Sequence, residues 1–127
     1  MPKEAVSTQD APKPLGAYSQ AVKCGKLIFV SGQLPADPAT GGIVVSSTEN
    51  QTKKVMDNIK AILKAAGADM ENIVKTTVYI RKIEEMRFVN AAYALYFPGN
   101  PPARSTVQVS RLPKDAELEI DVIASLE

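Results

Sequence analysis

The chain has 127 residues, 45% of them hydrophobic and 23% charged, with a formal net charge of +1 from 15 basic and 14 acidic residues. That composition fits one soluble globular domain, long enough to bury about two-thirds of its unfolded surface, and supplies no field of one sign to attract nucleic acid or an anionic membrane. There is no histidine and a single cysteine, Cys24, which excludes Ser–His and Cys–His catalysis, an internal disulfide and the usual zinc and iron ligand sets.

No apolar run approaches the ~20 residues that span a bilayer. The first fourteen residues hold Glu4 and Asp10 and no arginine, unlike a signal peptide or a mitochondrial presequence. The expectation is a cytoplasmic protein, with a mitochondrial location as the alternative. Met1 to Leu15 carries three prolines and reads as an irregular lead-in to one domain spanning 1–127.

Ala17 to Lys23 and Lys26 to Ser31 read as strands separated by a Cys24-Gly25 turn, the glycine supplying a positive φ. Ser31-Gly32-Gln33 leads into a loop rich in proline and glycine, and Ile43 to Val45 allows a further short strand. Ser46 and Glu49 have capping-box spacing. Val55, Ile59, Ile62, Leu63 and Ala66 recur behind them at helical spacing, with Gly67 as the stop. Ile73 to Ile80 is β-branched and aromatic, hence a strand. A second helix is predicted from Ile83 to Tyr96, presenting Met86, Val89, Tyr93, Tyr96 and Phe97 on one face.

Pro101 to Ala124 reads as two strands around a polar loop. Ser105, Val107 and Val109 alternate with Arg104, Thr106 and Gln108, while Leu118, Ile120, Val122 and Ala124 alternate with Glu117, Glu119, Asp121 and Ile123. This is the period of sheets with one buried face. A hairpin closed by Arg111 to Ala116 sets Gln108 opposite Glu119 and places Arg104, Thr106 and Glu119 on one polar surface. An arginine fork, a hydroxyl and a carboxylate together suit a small carboxylate-bearing molecule. The order of elements, ββ(β)αβαββ, predicts an α+β layer fold with five to six strands and two helices on one sheet face.

The same stretch, ARS followed by V-x-V-x-x-LPKDA and LEIDVIA, resembles the C-terminal signature of the reactive-intermediate deaminase (Rid, YjgF-type) family. LGAYSQAV, IFVSGQLPADPATG, DNIKAILKAAGA and VKTTVYI follow that family's order, so the resemblance covers roughly Ala11 to Ser125. It implies a chorismate-mutase-like (YjgF-type) fold with a mixed sheet. It further implies a homotrimer with active sites between subunits, and hydrolysis of 2-imino and 2-enamino acids such as 2-iminobutanoate and 2-iminopropanoate, released by pyridoxal-phosphate enzymes, to 2-oxo acids and ammonia. The only partners it implies are that substrate and further copies of the chain.

By the same resemblance Arg104 pairs with the substrate carboxylate, and Glu119 places or activates the attacking water. Tyr18, Ser31, Gly32, Asn90 and Thr106 line the substrate site. Each has a plainer reading. Arg104 can be a solvated strand residue and Glu119 a surface carboxylate. Tyr18 can be half-buried packing, Asn90 an amide that caps backbone groups beside the apolar stripe, and Ser31-Gly32 an ordinary strand exit. Thr106 departs from members that carry cysteine two residues after the arginine, so no thiolate chemistry is available there. No cofactor and no metal is required, because an imine is already activated and the enzyme need supply only proximity and orientation. Two further readings stand: a ribonuclease or translation inhibitor, which the near-neutral charge and absent histidine disfavour, and a non-catalytic trimer that binds small carboxylates or holds unfolded clients.

Overall fold

The computed structural model describes residues 2–127. Its framework is β1 (Glu4–Val6), β2 (Ala21–Cys24), β3 (Leu27–Gln33), α1 (Thr48–Ala65), β4 (Ile73–Ile80), α2 (Met86–Ala94), β5 (Ala103–Gln108) and β6 (Leu118–Ser125). The strands form one six-stranded sheet in the order β1-β2-β3-β6-β4-β5. Neighbours are antiparallel except β4 and β5, which run parallel. Both helices cover one face, as the alternation requires, and the sheet is mixed as expected.

The buried face comes from the period of each strand. Ile28 and Val30, Thr76, Val78 and Ile80, and Leu118, Ile120, Val122 and Ala124 point inward. Val55, Met56, Ile59, Ile62 and Leu63 of α1 close the layer, all fully buried. Side chains of this size each contribute about 1.5–3 kcal/mol on burial, so the α1–sheet seam dominates the stability of the fold. Beyond α1, Gly67 has φ +85. The amides of Gly67 and Ala68 donate to the carbonyls of Lys64 and Leu63 at 3.1 and 2.8 Å, which satisfies the helix's last carbonyls in a Schellman motif.

Several local expectations shift. The lead-in contains β1, whose backbone pairs with β2; three residues are too few to show a side-chain period. The first long strand begins at Ala21 rather than Ala17. The turn after it is Gly25-Lys26, because Cys24 pairs with Leu27; Gly25 does take the positive φ, at 61°. Ile43 makes only an isolated bridge to Ala36. The cap of α1 is Ser47, whose side chain accepts from the Asn50 amide, one residue beyond the Ser46 of the expected capping box. The second helix splits into a 3-10 turn at Ile83–Glu85 and α2.

The larger correction concerns the C-terminal hairpin. β5 and β6 do not pair, because β4 lies between them. Arg104 sits beside Thr76 and Gln108 beside Ile80, whereas Glu119 sits beside Tyr79. Residues 76, 78 and 80 point toward the helices and residue 79 points away, so Arg104 and Thr106 lie on the helix face and Glu119 on the open face. Alternation along a strand says which residues share a face of that strand. It does not say which strand is the neighbour.

Candidate active site

Glu119 lies on β6 between the buried Leu118 and Ile120, with its carboxylate on the open face. Opposite it β3 bulges: Val30 pairs with Val122 and Gln33 with Ile120, so Ser31 and Gly32 together oppose Asp121 alone. The bulge brings the Gly32 backbone beneath the Glu119 side chain. A Cβ built on Gly32 would lie 2.2 Å from Glu119 Oε2 and 2.6 Å from its Cδ, so the carboxylate occupies space that only glycine leaves free.

Burial pushes the Glu119 carboxyl above the usual carboxylate range, and the negative charge of Asp121 adds to the effect. Among the described residues no cation lies within ion-pair distance of it. Asp121 itself accepts a hydrogen bond from the Tyr79 hydroxyl at 3.0 Å, which raises the phenol's pKa.

A cavity of about 230 Å³ opens beside Gly32 and Glu119, lined also by Tyr18, Leu15, Leu34, Gly41 and Lys114. Its walls are irregular backbone fixed by buried amides. Gln20 exchanges two hydrogen bonds with the Thr8 backbone and donates to the carbonyls of Ala11 and Pro12. Asn58 of α1 donates to the carbonyls of Leu34 and Ala36 at 3.2 and 2.9 Å. Tyr18 is half exposed, and its hydroxyl accepts from the Leu15 amide at 3.1 Å. The Ser31 hydroxyl donates to the Ser19 carbonyl at 2.6 Å and faces the adjoining hollow on the other side of Tyr18.

Of the residues anticipated from sequence, the chain therefore brings Tyr18, Gly32 and Glu119 together, with Ser31 at the rim. Arg104, Thr106 and Asn90 lie elsewhere. Arg104 is exposed on β5, an edge strand whose outer backbone groups have no strand partner. Its guanidinium stands 4.9 Å from the centre of the Tyr93 ring, and no carboxylate among the described residues pairs with it. Thr106 is half-buried on the same face. Asn90 is exposed on α2 rather than a buried amide in need of partners; the apolar stripe passes through Val89 and Tyr93 and leaves residue 90 outside.

Lys114 escaped the sequence reading. It lies in the LPKDA turn with φ 57, followed by Asp115 at φ 54, and its ammonium donates to the Gly41 carbonyl. Two successive left-handed residues that are not glycine are unusual, and although Asp tolerates that region Lys carries no signal for it.

The comparisons with known proteins bear on the family and the fold. Residues 8–126 match the family model described as Endoribonuclease L-PSP. A RutC family protein of Pyrococcus abyssi is 50% identical over 127 residues, covering 100% of both chains. The 2-iminobutanoate/2-iminopropanoate deaminase of Rattus norvegicus is 45% identical over 122 residues, covering 96% of this chain and 89% of its own. Among solved structures, E. coli TdcF with bound serine superposes with a TM-score of 0.93 at 39% identity, covering 98% of this chain and 99% of that one. A shared order of elements, a match over nearly the whole length and relatives at this identity place the chain in the Endoribonuclease L-PSP family, the Rid/YjgF family that its motifs resemble.

Proposed function

We propose that the protein is an imine deaminase, converting small 2-imino acids such as 2-iminobutanoate and 2-iminopropanoate to 2-oxo acids and ammonia. The observation that carries this reading is the half-buried Glu119 carboxylate, unpaired with any cation among the described residues and held over Gly32 beside a cavity sized for a small metabolite. A carboxylate with a raised pKa is a better-matched general base near neutrality. It takes a proton from water as the oxygen bonds to the imine carbon and passes it to nitrogen, which receives the C=N electron pair, giving a carbinolamine. It then takes the hydroxyl proton and passes it to nitrogen as C=O forms, the C–N bond breaks and ammonia leaves. Backbone carbonyls near Gly32 and Thr106 help to hold the water, and Tyr18 shapes the mouth. The rat relative's name and the serine bound to TdcF both point to small molecules built on an amino-acid skeleton.

Arg104 supplies the grip on the substrate carboxylate, as a bidentate fork does well. Within one chain it is on the opposite sheet face from Glu119, so the complete site forms between copies: Arg104 and Thr106 of one copy meet Tyr18, Gly32 and Glu119 of the next. The open face suits such assembly, since it leaves Leu27 and Phe29, adjacent on β3, 41% and 43% exposed and Val107, on the far edge strand, 43% exposed. A homotrimer is the assembly we favour.

The test generates 2-aminoacrylate with a serine or threonine dehydratase and traps residual imine with semicarbazide. Wild-type protein should accelerate pyruvate release, and Arg104→Ala should not. Clearance no faster than buffer by the wild type would refute the reading.

A further inference from the structure

Arg104 is exposed on an edge strand, a setting in which a long side chain samples many rotamers and must lose them to hold a ligand. The structure limits that freedom. Tyr93 of α2 puts its ring under the guanidinium at 4.9 Å. The ring itself is 6% exposed, and two contacts hold it. Its hydroxyl lies 2.8 Å from the hydroxyl of the fully buried Thr76. The Phe97 ring packs on it, centroids 4.8 Å apart and planes tilted by 49°. Thr76 is also the residue beside Arg104 in the β4–β5 register, so the arginine's backbone and the ring beneath its head group are both located by one buried threonine. The stack consumes none of the five guanidinium N–H donors.

We propose that Tyr93 is a positioning residue for Arg104: its π-face holds the guanidinium over α2, with the N–H donors left free for the carboxylate of the 2-imino acid. This rests on the reading of Arg104 given above. An arginine so held loses less freedom on gripping substrate, and the gain falls on binding rather than on the chemical step. The hydroxyl's part is to fix the ring, so a phenyl ring packed in the same place does the same task.

Kinetics on 2-iminobutanoate generated in situ, with titration of 2-oxobutanoate as a binding probe, separate this role from plain core packing. Tyr93→Leu removes the π-face and should raise KM and weaken 2-oxobutanoate binding by about threefold to fivefold, with kcat within about twofold of wild type. Tyr93→Phe loses the bond to Thr76 and should melt at a lower temperature while keeping KM. Should Tyr93→Leu not fold, 3,5-difluorophenylalanine at position 93, compared with Tyr93→Phe, keeps the shape and drains the ring face, and its KM should rise above that of the phenylalanine variant. An unchanged KM in Tyr93→Leu or the difluoro variant, or a Tyr93→Phe penalty as large as that of Tyr93→Leu, overturns the proposal. Arg104→Ala is the control: if it retains full turnover, the carboxylate grip itself is wrong, whereas its collapse beside an unaffected Tyr93→Leu sinks only the positioning role.

Discussion

Gly32 and Glu119 fit one another. A methyl group at position 32 would have its three nearest neighbours among the Oε2, Cδ and Cγ atoms of Glu119, the first at 2.2 Å. Gly32 does not have a positive φ, so the left-handed strain that bars an alanine is absent, and the nearest conflict is with the Glu119 side chain.

Gly32→Ala should therefore displace Glu119 without reaching the chain's own Arg104, which lies on the opposite sheet face. A shift of about 1 Å in a reacting group costs on the order of 10²-fold in rate, so kcat should fall by about that factor, with KM changed far less. In a Glu119→Ala background the same glycine substitution should cost little further activity or stability, because the clash has been removed. An additive loss in the double variant would mean that Gly32 serves something other than room for Glu119.

Glu119 also predicts a pH dependence of stability. Its folded-state pKa is raised above the ordinary 4.5, chiefly by burial. The folded protein therefore keeps this proton where the unfolded chain has lost it, and stability falls as pH rises from about 4.5 through the folded value. Glu119→Gln removes the buried charge. Its melting temperature should exceed that of wild type at neutral pH, and the gap should close as pH is lowered toward 4.5. A gap that does not vary with pH would contradict the assigned cause. In the imine assay the same variant should lose about 10²-fold or more, the usual scale of a general base.

Assembly should depend on the open sheet face. Phe29→Lys places a charge beside the exposed Leu27 on that face, outside the helix-covered core. Sedimentation velocity should show a shift toward monomer with little change in far-UV circular dichroism, and imine clearance should fall with the fraction assembled. Full activity from a monomeric variant would mean that one chain holds a complete site.

Much of the fold was legible because the buried faces obey simple periods. The alternation of Leu118 to Ala124, the stripe from Val55 to Leu63 and the stop at Gly67 all read directly from side-chain chemistry. Strand neighbours did not. The polar residues of β5 and β6 looked like one surface only on the assumption that consecutive strands pair, whereas β4 separates them and turns Arg104 and Glu119 to opposite faces. Tyr18, Gly32 and Glu119, which the structure groups at one cavity, were singled out by the family motifs rather than by any spacing. The positions of Lys114 and of the buried Gln20 depend on loop conformations that backbone hydrogen bonds decide, and residue type alone does not encode them. The stack of Arg104 on Tyr93 required knowing that α2 crosses beside β5.

In the proposed site Arg104 and Glu119 act on one substrate from different copies of the chain. Subunit complementation tests this most directly. Arg104→Ala and Glu119→Gln, each inactive alone, are unfolded together in equal amounts, refolded as mixed oligomers and assayed for imine clearance. With random mixing, about one quarter of the sites in a ring of copies joined head to tail receive both wild-type residues, so roughly that fraction of wild-type activity should return. If the mixture stays as inactive as its parts while mixed oligomers are present, the two residues do not meet across an interface, and this account of the site is wrong.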